Sequence, residues 1–475
     1  MTIADTRKKW LALLILAMGD LLIVLDVSIV NVALPSIRDD LGFTEASLAW
    51  VINAYTLTFG GFMLLAGRLG DLFGHRRVFL LGVGLFTLAS LASGIASSPE
   101  MLIGARAIQG IGGAVVGAIA LSLIMTLFTE PAERAKAMGV IGFVVAAGGS
   151  IGVLAGGVLT DLLSWNWIFL VNLPIGIGVI VFSLMLIPGN RIEAASRSLD
   201  VTGAITITAS LMLAVYAIVN GNEQGWTSAR TLGLLGVGAA GVAFFLWLES
   251  RVTSPLMPLG LLKLRSVAVS NIAGILWSAA MFAMFFLSAL YLQLVLGYSP
   301  LEVGLAFLPA NLLMGAFSLG ISAKLVMKYG TKVPFTVGML LVALGLGLFA
   351  RVPVDGSFAT DVLPSMLILG VGIGMAMNPL LIAAMSDVEP QDAGVASGVV
   401  NTSFMMGGAL GLAVLASVAA SVSGENPSLG SLTDGYQAAF VIGTVFALAA
   451  GVVAAVFLRP APMPDPEGEP AFATH

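Results

Sequence analysis

Residues Gly67–Arg77 read GRLGDLFGHRR, and residues Ala323–Lys332 read AKLVMKYGTK. Setting Gly74 against Gly330 also sets Leu69 against Leu325 and Arg76 against Lys332, at a constant offset of 256 residues. Met327 stands where Asp71 would have its counterpart. Each segment follows one apolar run and precedes another, and each run has the ~20 residues that cross a bilayer. A basic turn recurring at this distance marks a duplicated half. Six runs occupy about the first 190 residues, so the offset leaves room for two more before the second half begins.

The whole chain agrees with that reading. Its 475 residues are 58% hydrophobic and 10% charged, with a mean hydropathy of +1.02. Soluble domains are about 25% charged, so this sequence cannot cover a water-soluble fold of its size. Fourteen apolar runs are expected to span the membrane: 10–35, 47–66, 77–96, 101–125, 137–160, 166–188, 201–220, 229–248, 266–291, 301–323, 333–352, 362–385, 394–422 and 436–458. The predicted fold class is an all-α integral membrane protein of 14 transmembrane helices, built as two six-helix bundles plus two additional central helices. The bundles are expected at 1–190 and 266–459, with a two-helix insertion at 191–265. Residues 460–475, rich in Pro and acidic groups, are expected to be a disordered cytoplasmic tail. The first apolar run is too long for a cleaved signal and reads as the first span.

Charge sets the orientation. With both termini in the cytoplasm, seventeen Lys and Arg fall in cytoplasmic segments. Only Arg38, Arg230 and Arg351 fall outside, and Arg106 lies within a span. This is a strong positive-inside bias, and it places the protein as a multi-pass protein of the cytoplasmic (inner) cell membrane.

Several functions are excluded by inventory. There is no cysteine, and His75 and His475 are the only histidines, which leaves no basis for a thiolate or histidine metal site or a Ser/His/Asp triad. There is no Walker loop for ATP. Enzyme function is not expected, nor a metal, a cofactor or a nucleic-acid partner. Duplicated membrane halves instead point to alternating access around a site between them.

Further motifs follow the same order as the spans: LDVSIVNVALP (Leu25–Pro35), RAIQGIGGA (Arg106–Ala114), GGSIGVLAGG (Gly148–Gly157), WNWIFLVNLPIG (Trp165–Gly176) and YLQLVLGYSPLEVG (Tyr291–Gly304). Together with Gly67–Arg77, these resemble the fourteen-helix drug:proton antiporter branch of the major facilitator superfamily. The resemblance implies a gate loop at Gly67, Asp71, Gly74, Arg76 and Arg77. It implies an antiporter motif at Gly148, Gly152, Gly156 and Gly157, and proton coupling through Asp26 and Arg106. The chain departs from the pattern at Val153, where proline is usual, and at Asn166, where arginine is usual. It has Asn53 where some members carry an acid, and no carboxylate in spans 10 and 13. These departures point away from dicationic substrates.

Ionisable groups inside spans cost about 2.5–3.5 kcal/mol each at a helix centre, so Asp20, Asp26 and Arg106 are the proton-coupling candidates. Asp26 and Arg106 lie at similar depth, which permits a buried pair of structural or coupling use. Asp20 is about 9 Å deeper and about 120° around the same helix, without an evident partner. Asp26 ranks first as proton carrier and Asp20 next. The acidic loop with Asp387, Glu389 and Asp392 is expected to face the basic loop and latch the inner gate. Asn53, Tyr55, Tyr291, Gln293, Asn311 and Asn378 are polar or amphipathic groups in apolar spans, expected to line the substrate site.

The function read from these features is export of lipophilic drugs or toxic compounds in exchange for protons. The expected partners are a small lipophilic substrate, protons and membrane lipids, and the expected state is a monomer. Two alternatives stand beside it. One is a dedicated exporter of one metabolite or self-made antibiotic. The other is a polytopic sensor or scaffold that transports nothing, although the soluble output domain usual for that class is absent.

Overall fold

The computed structural model describes residues 3–128, 130–187, 200–252, 255–388, 393–424 and 427–458. The side chains of a few residues within helices, Asp71 among them, lie outside that description, as does the expected tail at 460–475. Fourteen helices follow one another: α1 Ile3–Leu41, α2 Trp50–Phe73, α3 His75–Gly94, α4 Pro99–Leu127, α5 Pro131–Leu162, α6 Asn172–Leu186, α7 Val201–Val219, α8 Ala229–Glu249, α9 Arg265–Leu290, α10 Pro300–Ala316, α11 Lys332–Phe349, α12 Leu363–Met385, α13 Ala393–Ser423 and α14 Leu429–Phe457. Twelve helical segments are long and apolar enough to cross a membrane, and the shorter apolar segments Ala147–Leu162 and Pro300–Ala316 supply the other two. Each of the fourteen expected runs coincides with one of these. A short helical turn at Trp167–Leu170 precedes α6, and a π-helical stretch, Phe317–Ile321, carries α10 on to Ser322–Tyr329.

Glycine-rich sequences form long helices here because lipid offers no hydrogen-bond partner to the backbone, so every amide must be satisfied within its own helix. Small residues then set how closely the helices approach. The packing repeats between the halves. In the first bundle α2 packs on α4, α1 on α5, α3 on α4 and α6, and α1 on α4 and α6. In the second, α10 packs on α12, α9 on α13, α11 on α12 and α14, and α9 on α12 and α14. Each of these pairings recurs eight helices later. Across the seam α5 meets α10, and α2 meets α13. The additional helix α7 rests on α2 and α13, and α8 packs chiefly on α7. Large apolar side chains on the outer faces stay exposed, including Leu88, Met185, Val237 and Val452, as a lipid-facing surface requires.

The aligned loop glycines play the same part in both halves. Gly74 ends α2 with φ +89°, and Gly330 ends the α10 extension with φ +71°. Each returns its N–H to the residue four positions back, Gly70 and Val326 respectively. Positive φ is cheap only for glycine, which explains why these two positions of the repeat kept their residue. The end of the molecule with these turns carries Arg68, Arg76, Arg77, Lys324, Lys328 and Lys332 and is called the basic end below; the other is the far end.

Candidate functional site

A sealed polar cluster occupies the far-end half of the first bundle. Asp26 is fully buried on α1, and Arg106 is buried on α4. Arg106 Nη1 donates to Asp26 Oδ2 in an ion pair. Gln109 Nε2 donates to Asp26 Oδ1 at 2.7 Å and to Ser90 Oγ on α3 at 2.8 Å. Asn172 Nδ2, on α6, donates to Asp26 Oδ1 at 3.1 Å. Arg106 also gives Nη1 to Gln109 Oε1 at 2.7 Å and Nε to the Val51 carbonyl of α2 at 2.9 Å. Its guanidinium lies 4.4 Å from the Tyr55 ring centre and 5.6 Å from that of Phe169. Five helices therefore meet around one carboxylate, both of whose oxygens accept hydrogen bonds. Such a buried charge is compensated by its ion-pair and hydrogen-bond partners.

Depth along the helices brought Asp26 and Arg106 together, but it gave no sign of Gln109, Ser90 and Asn172. A signal for two of them was available. Gln109 lies three residues after Arg106, on the same helix face, and Asn172 lies within the Trp165–Gly176 motif.

Asp20 sits elsewhere. Its neighbour Gly19 packs against Phe79 and Val116, and Ile23 lies against Gly117 of α4. Leu21 and Val24 lie against Gly148 of α5. Asp20 thus points between α4 and α5, away from α6, on the α1 face shared with Val24, Val27 and Asn31. Asp20 is partly exposed and makes no hydrogen bond or ion pair with a described residue.

The glycines of α5 serve two contacts. Gly148, Gly152 and Gly156 form a stripe along α1: side-chain atoms built there would meet Leu21 and Val24, then Ser28 and the Leu25 carbonyl, then the Ile29 carbonyl. Gly157 faces the other bundle. A Cβ there would lie 2.6 Å from the Pro300 carbonyl oxygen and 2.8 Å from Leu301 Cα. Gly304 of α10 reciprocates against the Val153 carbonyl at 2.9 Å. The Pro300 backbone is itself fixed, because Ser299 and Glu302 cap α10 reciprocally through bonds of 3.3 and 2.9 Å. A second tie runs from Gln293, on the π-helical turn Tyr291–Val295 that extends α9, to the Val32 carbonyl of α1 at 2.8 Å. The far end of the seam is joined at these points.

The six residues expected to line one substrate chamber do not share one. Asn53, Tyr55, Tyr291 and Asn311 are buried, and only Gln293 and Asn378 keep partial exposure. Tyr55 stacks under Arg106. Tyr291 Oη donates to the Pro353 carbonyl at 2.7 Å. Gln293 serves the far-end tie, and Asn378 Nδ2 bonds the Ser318 carbonyl at 2.5 Å. Asn311 lines a narrow apolar crevice inside the second bundle with Met284, Phe285, Phe307 and Met314. In an apolar span a polar side chain must find a partner, and backbone carbonyls supplied several of them.

Of the expected gate charges, Arg76, Arg77 and Asp387 are described, and no ion pair joins them. Arg76 Nη2 donates to the Leu184 carbonyl at the end of α6, at 2.6 Å. Arg77 is exposed. Asp387 accepts from the Ser266 N–H at the start of α9, at 3.3 Å. Among the described residues neither arginine pairs with Asp387. Glu389, Asp392 and the side chain of Asp71 lie outside the described residues. The tryptophan motif acts locally. Trp165 Nε1 donates to Asp40 at 2.8 Å, and Asn166 Nδ2 to the Gly94 carbonyl at 3.0 Å, which ties the far ends of α1 and α3 to the entry of α6.

Comparison with known proteins gives the same answer as the packing. The nucleoside transporter NupG, in crystal structure, superposes with a TM-score of 0.65 over 94% of this chain and 100% of its own, at 14% identity, which speaks for the fold alone. The puromycin resistance protein pur8 of Streptomyces alboniger is 38% identical over 94% of this chain and 90% of its own length. The cephamycin export protein CmcT of Amycolatopsis lactamdurans is 39% identical over 95% and 93%. The multidrug resistance protein Stp of Mycobacterium tuberculosis is 36% identical over 87% and 76%. The sequence model of the Major Facilitator Superfamily matches residues 16–412. With two pseudo-symmetric six-helix bundles meeting along α5–α10 and α2–α13, this multi-pass membrane protein belongs to the major facilitator superfamily.

Proposed function

We propose that this chain exports lipophilic small molecules across the cytoplasmic membrane in exchange for protons, by alternating access, as a monomer with both termini in the cytoplasm. The observation that carries the reading is Asp20. It is a carboxylate within a span, on the α1 face between α4 and α5, partly exposed and unpartnered among the described residues. Asp26 is sealed by three donors, so the accessible acid is the better proton carrier, reversing the order in which the sequence placed the two. The joined far end fits a cytoplasm-facing state. In that state substrate entry displaces the proton from Asp20 to the cytoplasm; after the switch, the outer side returns one. A proton moving through about 100 mV supplies roughly 2.3 kcal/mol.

The relatives' names support drug export and also the narrower reading. Cephamycin export protein and puromycin resistance protein are names attached to single antibiotics, whereas Stp is named for multidrug resistance. A dedicated antibiotic exporter is therefore the second reading. Everted vesicles supplied in turn with each of a compound panel test both. Accumulation of lipophilic compounds that stops when the pH gradient is collapsed supports the proposal, one compound alone favours the dedicated exporter, and accumulation unaffected by the gradient contradicts proton coupling.

A further inference from the structure

The inserted helices α7 and α8 carry two acids that the export reading does not use. Asp200 caps α7: its Oδ1 accepts the Gly203 N–H at 2.7 Å. Glu249 ends α8, and its Oε2 accepts the Met257 N–H at 2.8 Å. The two side chains are only 6% and 3% exposed. Their remaining oxygens, Asp200 Oδ2 and Glu249 Oε1, are buried without a hydrogen-bond partner. Both face the same small space, because the Cβ position above Gly203 lies 2.5 Å from Asp200 Oδ2 and 2.8 Å from Glu249 Oε1. Any side chain at 203 would fill it.

Two acceptor-only oxygens facing one another in a buried space repel unless a cation lies between them. The charged groups of the described elements around them do not supply one, and Arg191 and Arg197, before α7 in sequence, lie outside the described residues. Arg68 of α2 gives its Nη2 to the Pro255 carbonyl at 3.1 Å. Arg251, just past α8, stands against the Trp247 ring at 6.0 Å. Neither forms an ion pair with Asp200 or Glu249 among the described residues. No charged residue is present in α13, which packs on the other side of α7. Asp71, farther along α2, has no described side chain and would add negative charge.

We propose that Asp200 and Glu249 form a second proton-binding site, one proton shared between Oδ2 and Oε1, which fastens the start of α7 to the end of α8 at the base of the inserted hairpin. The setting fits a clamp. Leu256, beside the Met257 amide, packs with Leu65 of α2 and Ala204 of α7 in one small cluster. Arg68 holds the adjoining Pro255 carbonyl. The acids thus sit where the end of α8, the start of α7 and the basic-end half of α2 converge, next to the α2–α13 seam. The proposal does not depend on the export reading, and its test needs no transport.

The full-length protein in detergent provides the experiment. Glu249→Gln replaces the shared proton with a permanent Nε2–H donor to Asp200, and Asp200→Asn does the converse while keeping a good helix cap. A proton bound on folding and released on unfolding makes stability fall as pH rises. The wild-type melting temperature is therefore expected to drop between about pH 5 and about pH 8 and to level off above that, and that of Glu249→Gln to lack this drop. Infrared spectra at neutral pH are expected to show a protonated-carboxyl band that each single variant lacks. A band unchanged by both variants overturns the proposal, as does identical pH dependence in wild type and variants. Stabilisation of the wild type, but not of Glu249→Gln, by added sodium or calcium ions would overturn the shared proton and assign the space to a metal cation instead. Should neither variant be obtained folded, the wild-type protein alone decides: a melting temperature independent of pH overturns the shared proton.

Discussion

Gln293 on the end of α9 donates its amide to the Val32 carbonyl on α1 at 2.8 Å, and this bond joins the two bundles at the far end. Gln293→Ala removes the donor and leaves a carbonyl unsatisfied, a loss of about 1 kcal/mol, or about fivefold in the closed-to-open ratio. The chain has no cysteine of its own, so Asn31→Cys is a clean reporter on the α1 face below the tie. Labelling from the outer side by a membrane-impermeant maleimide is expected to rise about fivefold when Gln293→Ala is added. Equal labelling in both backgrounds would remove Gln293 from the closure.

Gly157 makes a stronger prediction, because its obstacle is backbone. Gly157→Val places carbon against the Pro300 carbonyl and Leu301 Cα, atoms fixed by the capping of α10. The bundles must part to admit it. Export is expected to be lost and passive leak of small solutes to rise in reconstituted vesicles. Gly178→Ala on α6, where a Cβ would meet nothing within 4 Å, serves as the control and is expected to behave as wild type.

The Asp26–Arg106 cluster is expected to show strong coupling between its members. Either Asp26→Asn or Arg106→Gln leaves the other charge buried and uncompensated, at a cost of about 3–5 kcal/mol. The double neutral variant Asp26→Asn with Arg106→Gln has no orphan charge and is expected to recover much of that stability. Thermal melting of the three purified proteins reads the difference. Additive losses in the double variant would contradict the pairing.

The gate proposal concerns the opposite face of the cycle. Arg77 and Asp387 are exposed and form no ion pair with each other, and they are proposed to approach when the basic end shuts. Arg77→Glu is expected to slow export several-fold, and adding Asp387→Lys to restore part of it. An absence of rescue would leave the loop charges to topology alone.

Much of the architecture was legible because bilayer physics is strict. Span length, the charge bias of the loops and the offset between Gly74 and Gly330 fixed the helix count and the doubled plan before any contact was known. The Asp26–Arg106 pair was legible from depth, since a charged group inside a span must find its opposite. The rest of that cluster was obscured because Gln109, Ser90 and Asn172 are neutral, and neutral polar groups resemble ordinary packing in a sequence. The expected substrate residues are hard to read for a related reason. Asn378 bonds a backbone carbonyl and Tyr291 another, and nothing in one sequence distinguishes a side chain turned to its own bundle from one turned to a chamber. Asp200 and Glu249 escaped notice because they stand at span ends, where a carboxylate is ordinarily solvated.

The central claim is that Asp20 carries the exchanged proton, and proteoliposomes holding Asp20→Asn test it most directly. An imposed pH gradient is expected to drive uphill substrate movement by the wild type and none by Asp20→Asn, while substrate-for-substrate counterflow persists in both. Uphill movement by Asp20→Asn at the wild-type rate would contradict the account.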